Sequence, residues 1–224
     1  MIPLLTLLVA FPFGILVAGP FGNWMAEWLH RGIMALCGFS PVLMGVLIGG
    51  LWQVLVSVGI HGIITVLAFA DVLAGNSSPL LALSYSASFA VSGVAFAVFM
   101  RSRNSGEKQT AKAGAVSAIM GATEPAMYAL IKPDKKRFAL CCAGGALGGA
   151  TAGFFGISMH TYAGMGITGL FGFFQTGDVK LVGVLLMAVL PFGFTWLIEM
   201  LLYRQEKAVA VSYTHLRAHE TSLH

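Results

Sequence analysis

Long stretches without a charged side chain dominate this sequence. Residues 1–26, 32–70, 72–100, 138–177 and 181–198 contain no Asp, Glu, Lys or Arg. Charged residues make up only 10% of the chain, whereas a typical globular domain has about 25%. A helix that crosses a bilayer needs about 20 mostly apolar residues, and backbone amides in lipid must be satisfied internally. The sequence therefore predicts an all-α integral membrane protein with multiple transmembrane helices, and it argues against nucleic-acid binding and against disorder.

The basic residues gather in the short segments 101–112, 132–137 and 204–207. Basic loops next to membrane spans lie preferentially on the cytoplasmic side. We therefore expect spans that end at the first and third of these segments and begin at the second. The spans predicted in this way cover residues 80–100, 138–157 and 181–202.

The apolar segment 113–131 has basic residues on both sides. A single span cannot begin and end on the same face of the membrane. We therefore predict a re-entrant helical hairpin here, in addition to the transmembrane helices. Its turn is expected near residues 121–125, where Gly, Thr and Pro favour a break in the helix.

Three further stretches have recognisable patterns. Ser40 followed by Pro41 suits a helix start, so a span is predicted over 41–60, with 62–79 as an outer segment. Residues 158–180 look irregular and could lie on the surface or re-enter the membrane. Gly145, Gly149 and Gly153 recur every four residues, which predicts a smooth helix face for close helix packing.

Ionisable residues inside a membrane are costly, about 2.5–3.5 kcal/mol each on insertion scales. Glu124 lies at the predicted turn, where its carboxylate could accept hydrogen bonds from sugar hydroxyls or bind a cation or a proton, with the hydroxyl of Thr123 beside it. His61 follows an apolar run, and a neutral imidazole both donates and accepts. The alternatives are a solvated loop for Glu124 and a structural role for His61. Trp52 could stack on a sugar, and Gln53 could pack helices together.

Two motifs resemble those of a known family. Residues 121–128, GATEPAMY, resemble the G-I-T-E-P-A-[IL]-[YF] signature of the membrane component IIC of phosphoenolpyruvate-dependent sugar phosphotransferase systems (PTS), in the glucose, β-glucoside, sucrose and trehalose superfamily. Residues 51–61, LWQVLVSVGIH, resemble the same family's L-W-Q-V-x-V-x-x-G-x-H segment. The resemblance covers residues 1–207, which are expected to form the C-terminal part, the transport half, of a IIC domain.

The resemblance implies a function and a site. Members of this family are multi-pass proteins of the bacterial inner membrane, and we expect this chain to help import a glucoside or a disaccharide. Glu124 and His61 would bind the sugar, with Thr123 as a neighbour, and Glu124 is the candidate for assisting catalysis. A cysteine on a phosphorylated IIB partner would phosphorylate the sugar. The full-length parent is expected to be a homodimer.

The chain also departs from the family pattern. Cys37, Cys141 and Cys142 lie in apolar stretches without the basic setting that favours a thiolate. The IIB cysteine is therefore missing, and the chain would be only part of the phosphotransferase. We expect no cofactor and no metal. The tail 208–224 fits no family element and is interpreted as artefactual, histidines included. We expect the family's earlier helices to be missing from this chain, and Gly62 replaces a Trp that β-glucoside members often have after the histidine.

Two other functions stay open at this point. Glu124 could be the coupling carboxylate of an ion- or proton-coupled secondary sugar transporter. Alternatively, the chain could be an inactive truncated fragment of a transporter.

Overall fold

The computed structural model of the protein describes residues 2–174 and 181–203. Every regular element within these ranges is helical, and an isolated antiparallel bridge joins Ser78 to Met159. The helices are α1 (Ile2–Phe13), α2 (Gly19–Phe39), α3 (Pro41–Val58), α4 (His61–Leu73), α5 (Pro79–Arg101), α6 (Ser105–Ile119), α7 (Glu124–Ala126), α8 (Lys135–Phe154), α9 (Gly166–Gly169) and α10 (Leu181–Leu202). Five-residue π-helical turns follow α1 and α7, and a 3₁₀ turn, Leu170–Phe173, follows α9.

Three of these helices, α3, α5 and α10, are long and apolar enough to cross a membrane. The all-α membrane fold predicted from the sequence is therefore confirmed. The predicted spans 41–60, 80–100 and 181–202 correspond closely to these helices. Helix α5 is buried along nearly its whole length, and it packs against α3, α6, α8 and α10. It forms the centre of the bundle.

Helix α3 begins and ends where its local sequence dictates. The Ser40 hydroxyl accepts a hydrogen bond from the backbone N–H of Leu43 at 3.3 Å, and Pro41 occupies the first turn. This is the usual chemistry of a helix N-terminus. At the other end, Gly59 has a φ of +87° and stops the helix after Val58, as glycines commonly do.

The predicted glycine face of α8 packs against α3. A Cβ atom placed on Gly149 would overlap the carbonyl oxygen of Gly45, and one on Gly145 would overlap that of Gly49. A Cβ on Gly153 would overlap the carbonyl of Pro41. Because the residue numbers rise along one helix as they fall along the other, the two helices are antiparallel. The interpretation of this stripe as a helix-packing surface is confirmed.

Arg137 joins several helix ends on one side of the bundle, which we call the basic end. Its Nε donates to Glu199 Oε1 at 2.9 Å, and its Nη1 and Nη2 lie 3.3 Å from Glu107 Oε1. The Nε also lies 3.6 Å from Asp134 Oδ2. These contacts bring together the start of α6, the start of α8 and the end of α10, as the predicted arrangement requires. Glu199, near the end of α10, is buried.

Residues 62–79 differ from the outer segment predicted for them. Since α3 is antiparallel to α8, it ends toward the basic end, where Lys132 Nζ donates to the carbonyl of Ser57 at 3.4 Å. Helix α4 then runs back along the side of the bundle, in contact with α3 and α5. Only after it does the chain reach Ser78, which pairs with Met159 beyond the far end of α8. Of the predicted irregular segment 158–180, residues 175–180 lie outside the described ranges.

Candidate functional site

The predicted hairpin is present in the 113–131 segment. Helix α6 ends at Ile119, and a short turn leads to α7, which starts at Glu124 with Pro125 in its first turn. The two arms contact each other, since a Cβ on Gly114 would lie 2.9 Å from the Cβ of Ala126. The helix break predicted at Gly121–Pro125 is confirmed, and it leaves Glu124 at the tip of a folded-back pair of helices.

The hairpin turn is held by close backbone contacts with the 164–169 segment. Gly121 has a φ of +104°, and a Cβ there would lie 2.6 Å from the carbonyl of Met165. Gly166, with a φ of +67°, has no room for a Cβ beside the carbonyl of Ile119. The hydroxyl of Tyr85, on the central helix α5, donates to the carbonyl of Gly166. Glycine is required at both contacts, because the backbone there is left-handed and the neighbouring backbone leaves no room for a side chain.

His61 and Glu124 meet although 63 positions separate them in the sequence. The His61 Nε2 lies 3.8 Å from Glu124 Oε1, with 29% of the His61 side chain and 50% of the Glu124 side chain exposed. Trp52 packs edge-on against the imidazole, with ring centroids 6.2 Å apart. Among the described residues, none hydrogen-bonds to the buried Nδ1 of His61. The pair therefore keeps unused hydrogen-bonding capacity.

A cavity of about 310 Å³ lies between these two side chains and the central helix. This volume is at the lower end of the range for small-molecule sites, about 300–1,000 Å³. Trp52 and Met165 supply apolar wall. Its polar lining consists of His61, Thr65, Ser88, Thr123, Glu124 and Tyr162. The structure thus brings together all three site residues predicted from the sequence.

Part of this lining was not predicted. Tyr162 and Met165 come from the segment whose sequence left its position open, and Thr65 and Ser88 carry no motif. The hydroxyl of Thr65 donates to the carbonyl of His61 at 3.0 Å, and that of Ser88 to the carbonyl of Tyr85 at 3.0 Å. Each hydroxyl oxygen can still accept a hydrogen bond from a ligand.

Gln53 is a packing residue. Its side chain is fully buried, and its amide donates to the carbonyl of Ala87 at 3.1 Å, which ties α3 to α5. Cys141 is a buried free thiol and Cys142 is partly buried. The side chain of Cys37 and the tail 208–224 lie outside what the structure describes.

Comparison with known proteins assigns the family. The family model described as "Phosphotransferase system, EIIC" matches residues 2–146. This chain belongs to the phosphotransferase system EIIC family. The match contains His61, Thr123 and Glu124, so the whole predicted site lies within the family region. The family match favours a PTS component over an ion-coupled transporter.

Several EIIC-containing proteins are similar to this chain. The β-glucoside-specific EIIBCA component of Halalkalibacterium halodurans is 33% identical over 80% of this chain and 28% of its own length. The arbutin-, cellobiose- and salicin-specific EIIBC component of Escherichia coli K12 is 27% identical over 98% of this chain and 46% of its own length. The sucrose-specific EIIBC component of Salmonella typhimurium is 28% identical over 89% of this chain and 44% of its own length.

The chain spans less than half the length of each of these three relatives. No solved structure matches the chain. The family assignment therefore rests on sequence, and the geometry of the site comes from this structure.

Proposed function

We propose that residues 1–207 are the transport half of a sugar-specific IIC subunit, a multi-pass protein of the bacterial inner membrane. Its cavity binds a glucoside or a disaccharide between His61 and Glu124. The single observation that carries this proposal is the contact between these two side chains in a 310 Å³ cavity at a helix break. Transporters commonly place substrate groups where membrane helices are interrupted.

The chemistry of the lining suits a sugar. Each sugar hydroxyl is a donor and an acceptor, so it needs partners of both kinds. The Glu124 carboxylate only accepts, whereas a neutral His61 ring donates from one nitrogen and accepts at the other. A hydrogen bond to an ionised carboxylate is roughly twice as strong as a neutral one. Trp52 adds an aromatic surface against which the apolar face of a sugar ring can pack.

Glu124 is the residue we propose to assist phosphoryl transfer. In this step a sugar hydroxyl oxygen attacks the phosphorus of a phosphocysteine on the IIB partner. The new oxygen–phosphorus bond forms as the sulfur–phosphorus bond breaks, and the thiolate leaves. The hydroxyl proton passes to the Glu124 carboxylate. Positioning of the attacking oxygen is the main contribution a protein makes to such a transfer.

The IIB domain is the protein partner that we propose. The relatives' names describe EIIBC and EIIBCA components, in which B and C parts are joined in one chain. Neither Cys141 nor Cys142 has the exposed basic setting of a phosphoryl-carrying thiol. The cysteine would therefore come from IIB, and we propose that the complete permease is a homodimer.

Direct binding to the purified chain tests the sugar site. We would titrate a panel of glucosides and disaccharides and follow tryptophan fluorescence, since Trp52 borders the cavity. One sugar should bind to the wild type, and Glu124→Gln should weaken its binding roughly 10- to 100-fold, because a hydrogen bond to a charged group contributes about 1.5–3 kcal/mol. The control is Tyr128→Phe, because Tyr128 lies outside the cavity lining. Gln53→Glu would be unsuitable, because Gln53 is buried.

The phosphorylation step needs a separate assay. In membranes that contain the complete permease, we would measure phosphoenolpyruvate-dependent phosphorylation of the sugar identified by binding. Glu124→Gln should abolish turnover even at saturating sugar. Wild-type turnover in Glu124→Gln would refute its role in proton transfer, while unchanged binding in both Glu124→Gln and His61→Ala would refute the sugar site itself.

A further inference from the structure

A second and larger cavity opens at the basic end of the bundle. It has a volume of about 820 Å³ and lies where α5 ends, α6 begins and α10 ends. Its charged lining comes from Arg101, Arg103 and Lys108, and its remaining wall includes Met100 and Tyr203. The sugar cavity and this basic cleft share no lining residue.

Among the described residues, no carboxylate pairs with the cations of the basic cleft. Glu107 is the only acidic residue in the segment 101–112, and both of its carboxylate oxygens are already engaged. Oε2 accepts hydrogen bonds from Ser102 Oγ at 2.7 Å and from Tyr203 OH at 2.9 Å, and Oε1 faces Arg137. None of the three cleft cations forms an ion pair with a carboxylate of the described residues.

Apolar surface continues from the basic cleft along the helices. Met100, inside the cleft, is 49% exposed, and Phe96, one turn earlier on the same helix, is 37% exposed. These two side chains are exceptions on α5, because the rest of the helix is almost completely buried. On α10, Leu201 and Leu202 are also exposed just before Tyr203. The site thus has a cationic head and an apolar flank, which is the pattern of an amphipathic ligand.

We propose that the basic cleft binds the phosphate headgroup of an anionic phospholipid, with the acyl chains lying along Phe96 and Met100. Both helices that form the flank are long enough to cross the membrane, so their ends lie at headgroup level. Basic pockets between transmembrane helices on the cytoplasmic side are suited to anionic headgroups. A soluble protein partner would make no use of the exposed apolar side chains below the cations.

Native mass spectrometry of the purified chain with defined lipids tests this site. We would titrate phosphatidylglycerol and, as the neutral comparison, phosphatidylcholine. The double variant Arg103→Gln/Lys108→Gln should lose phosphatidylglycerol affinity about tenfold or more. The matched control is Lys135→Gln/Lys136→Gln, which removes the same charge from exposed positions on α8, outside the cleft. It should retain affinity within about twofold of the wild type. Arg103→Lys/Lys108→Arg keeps the charge and should bind normally.

Three results would overturn the proposal. Equal losses in the cleft variant and the control would mean general attraction to a basic surface. Equal binding of phosphatidylcholine, whose phosphate is balanced by a choline cation, would mean that the net negative charge of the headgroup is not recognised. If a purified IIB domain displaced the lipid from the wild type but not from Arg103→Gln/Lys108→Gln, the cleft would be assigned to a protein partner instead. All three double variants change exposed side chains, and monodisperse elution would establish that each is folded.

Discussion

Substitution of Gly149 by Ala tests the backbone contact between α3 and α8. The new Cβ would overlap the carbonyl oxygen of Gly45, lie 2.8 Å from its carbon, and lie 3.1 Å from the carbonyl oxygen of Leu83. All three neighbours are backbone atoms, so no side chain can rotate away. Because carbon atoms pack at about 3.5–4.0 Å, α8 must move by about 0.7 Å or more.

The expected cost is that of overpacking, about 1–3 kcal/mol. The helix-propensity gain of Gly→Ala, about 1 kcal/mol, opposes it. Gly193→Ala on α10 is the matched control, because it also lies inside a helix but has no atom within 4 Å of the added Cβ. The propensity gain cancels in the comparison of the two variants, which leaves the overlap.

Thermal unfolding in detergent, followed by fluorescence-detected size exclusion, measures this difference. At roughly 2–4 °C per kcal/mol for a chain of this size, Gly149→Ala should unfold on the order of 5 °C below Gly193→Ala. Equal midpoints for the two variants would refute the argument, since they would mean that the helices separate freely at Gly149.

Three further predictions concern the ionic contacts and the site. Arg137→Met should lower the free energy of unfolding by about 3–5 kcal/mol, because it leaves Glu199 buried without its partner; the double variant Arg137→Met/Glu199→Met should recover part of that loss in the same thermal assay. Gly121→Ala should weaken sugar binding and lower the midpoint, because φ is positive there and Met165 blocks the added carbon; wild-type binding would contradict the close fit of the hairpin turn. His61→Ala should weaken sugar binding by about tenfold, measured by tryptophan fluorescence, whereas His61→Gln should recover part of it because an amide also donates and accepts.

Features with local causes could be predicted from the sequence. The start of α3 follows from the hydroxyl of Ser40 and the ring of Pro41, and the hairpin break follows from Gly121 and Pro125. These residues act on backbone within a few positions of themselves, so their effect can be recognised from the local sequence. The meeting of His61 with Glu124 was accessible only through the resemblance to a family, because no local rule links positions so far apart.

Features that depend on distant neighbours could not be predicted. The path of α4 back along the side of the bundle follows from the antiparallel packing of α3 on α8, which no residue of α4 specifies. Glu199 lies near a helix end, where exposure is the usual expectation, but Arg137 reaches it from another helix. Tyr162 lines the sugar cavity, in a segment that contacts the hairpin turn through the glycines at 121 and 166.

The central position of α5 has a consequence for how the protein is made. Its serines are satisfied by partners of two kinds: Ser84 and Ser88 bond within the helix, whereas Ser86 and Ser92 donate to the carbonyls of Gly145 and Ala115. Those partners, and the whole of α10, are synthesised after α5. A ribosome therefore releases α5 into the bilayer before α6, α8 and α10 exist, and the hydroxyls of Ser86 and Ser92 reach their final acceptors only when α6 and α8 arrive. Final assembly of the bundle must wait for nearly the whole chain.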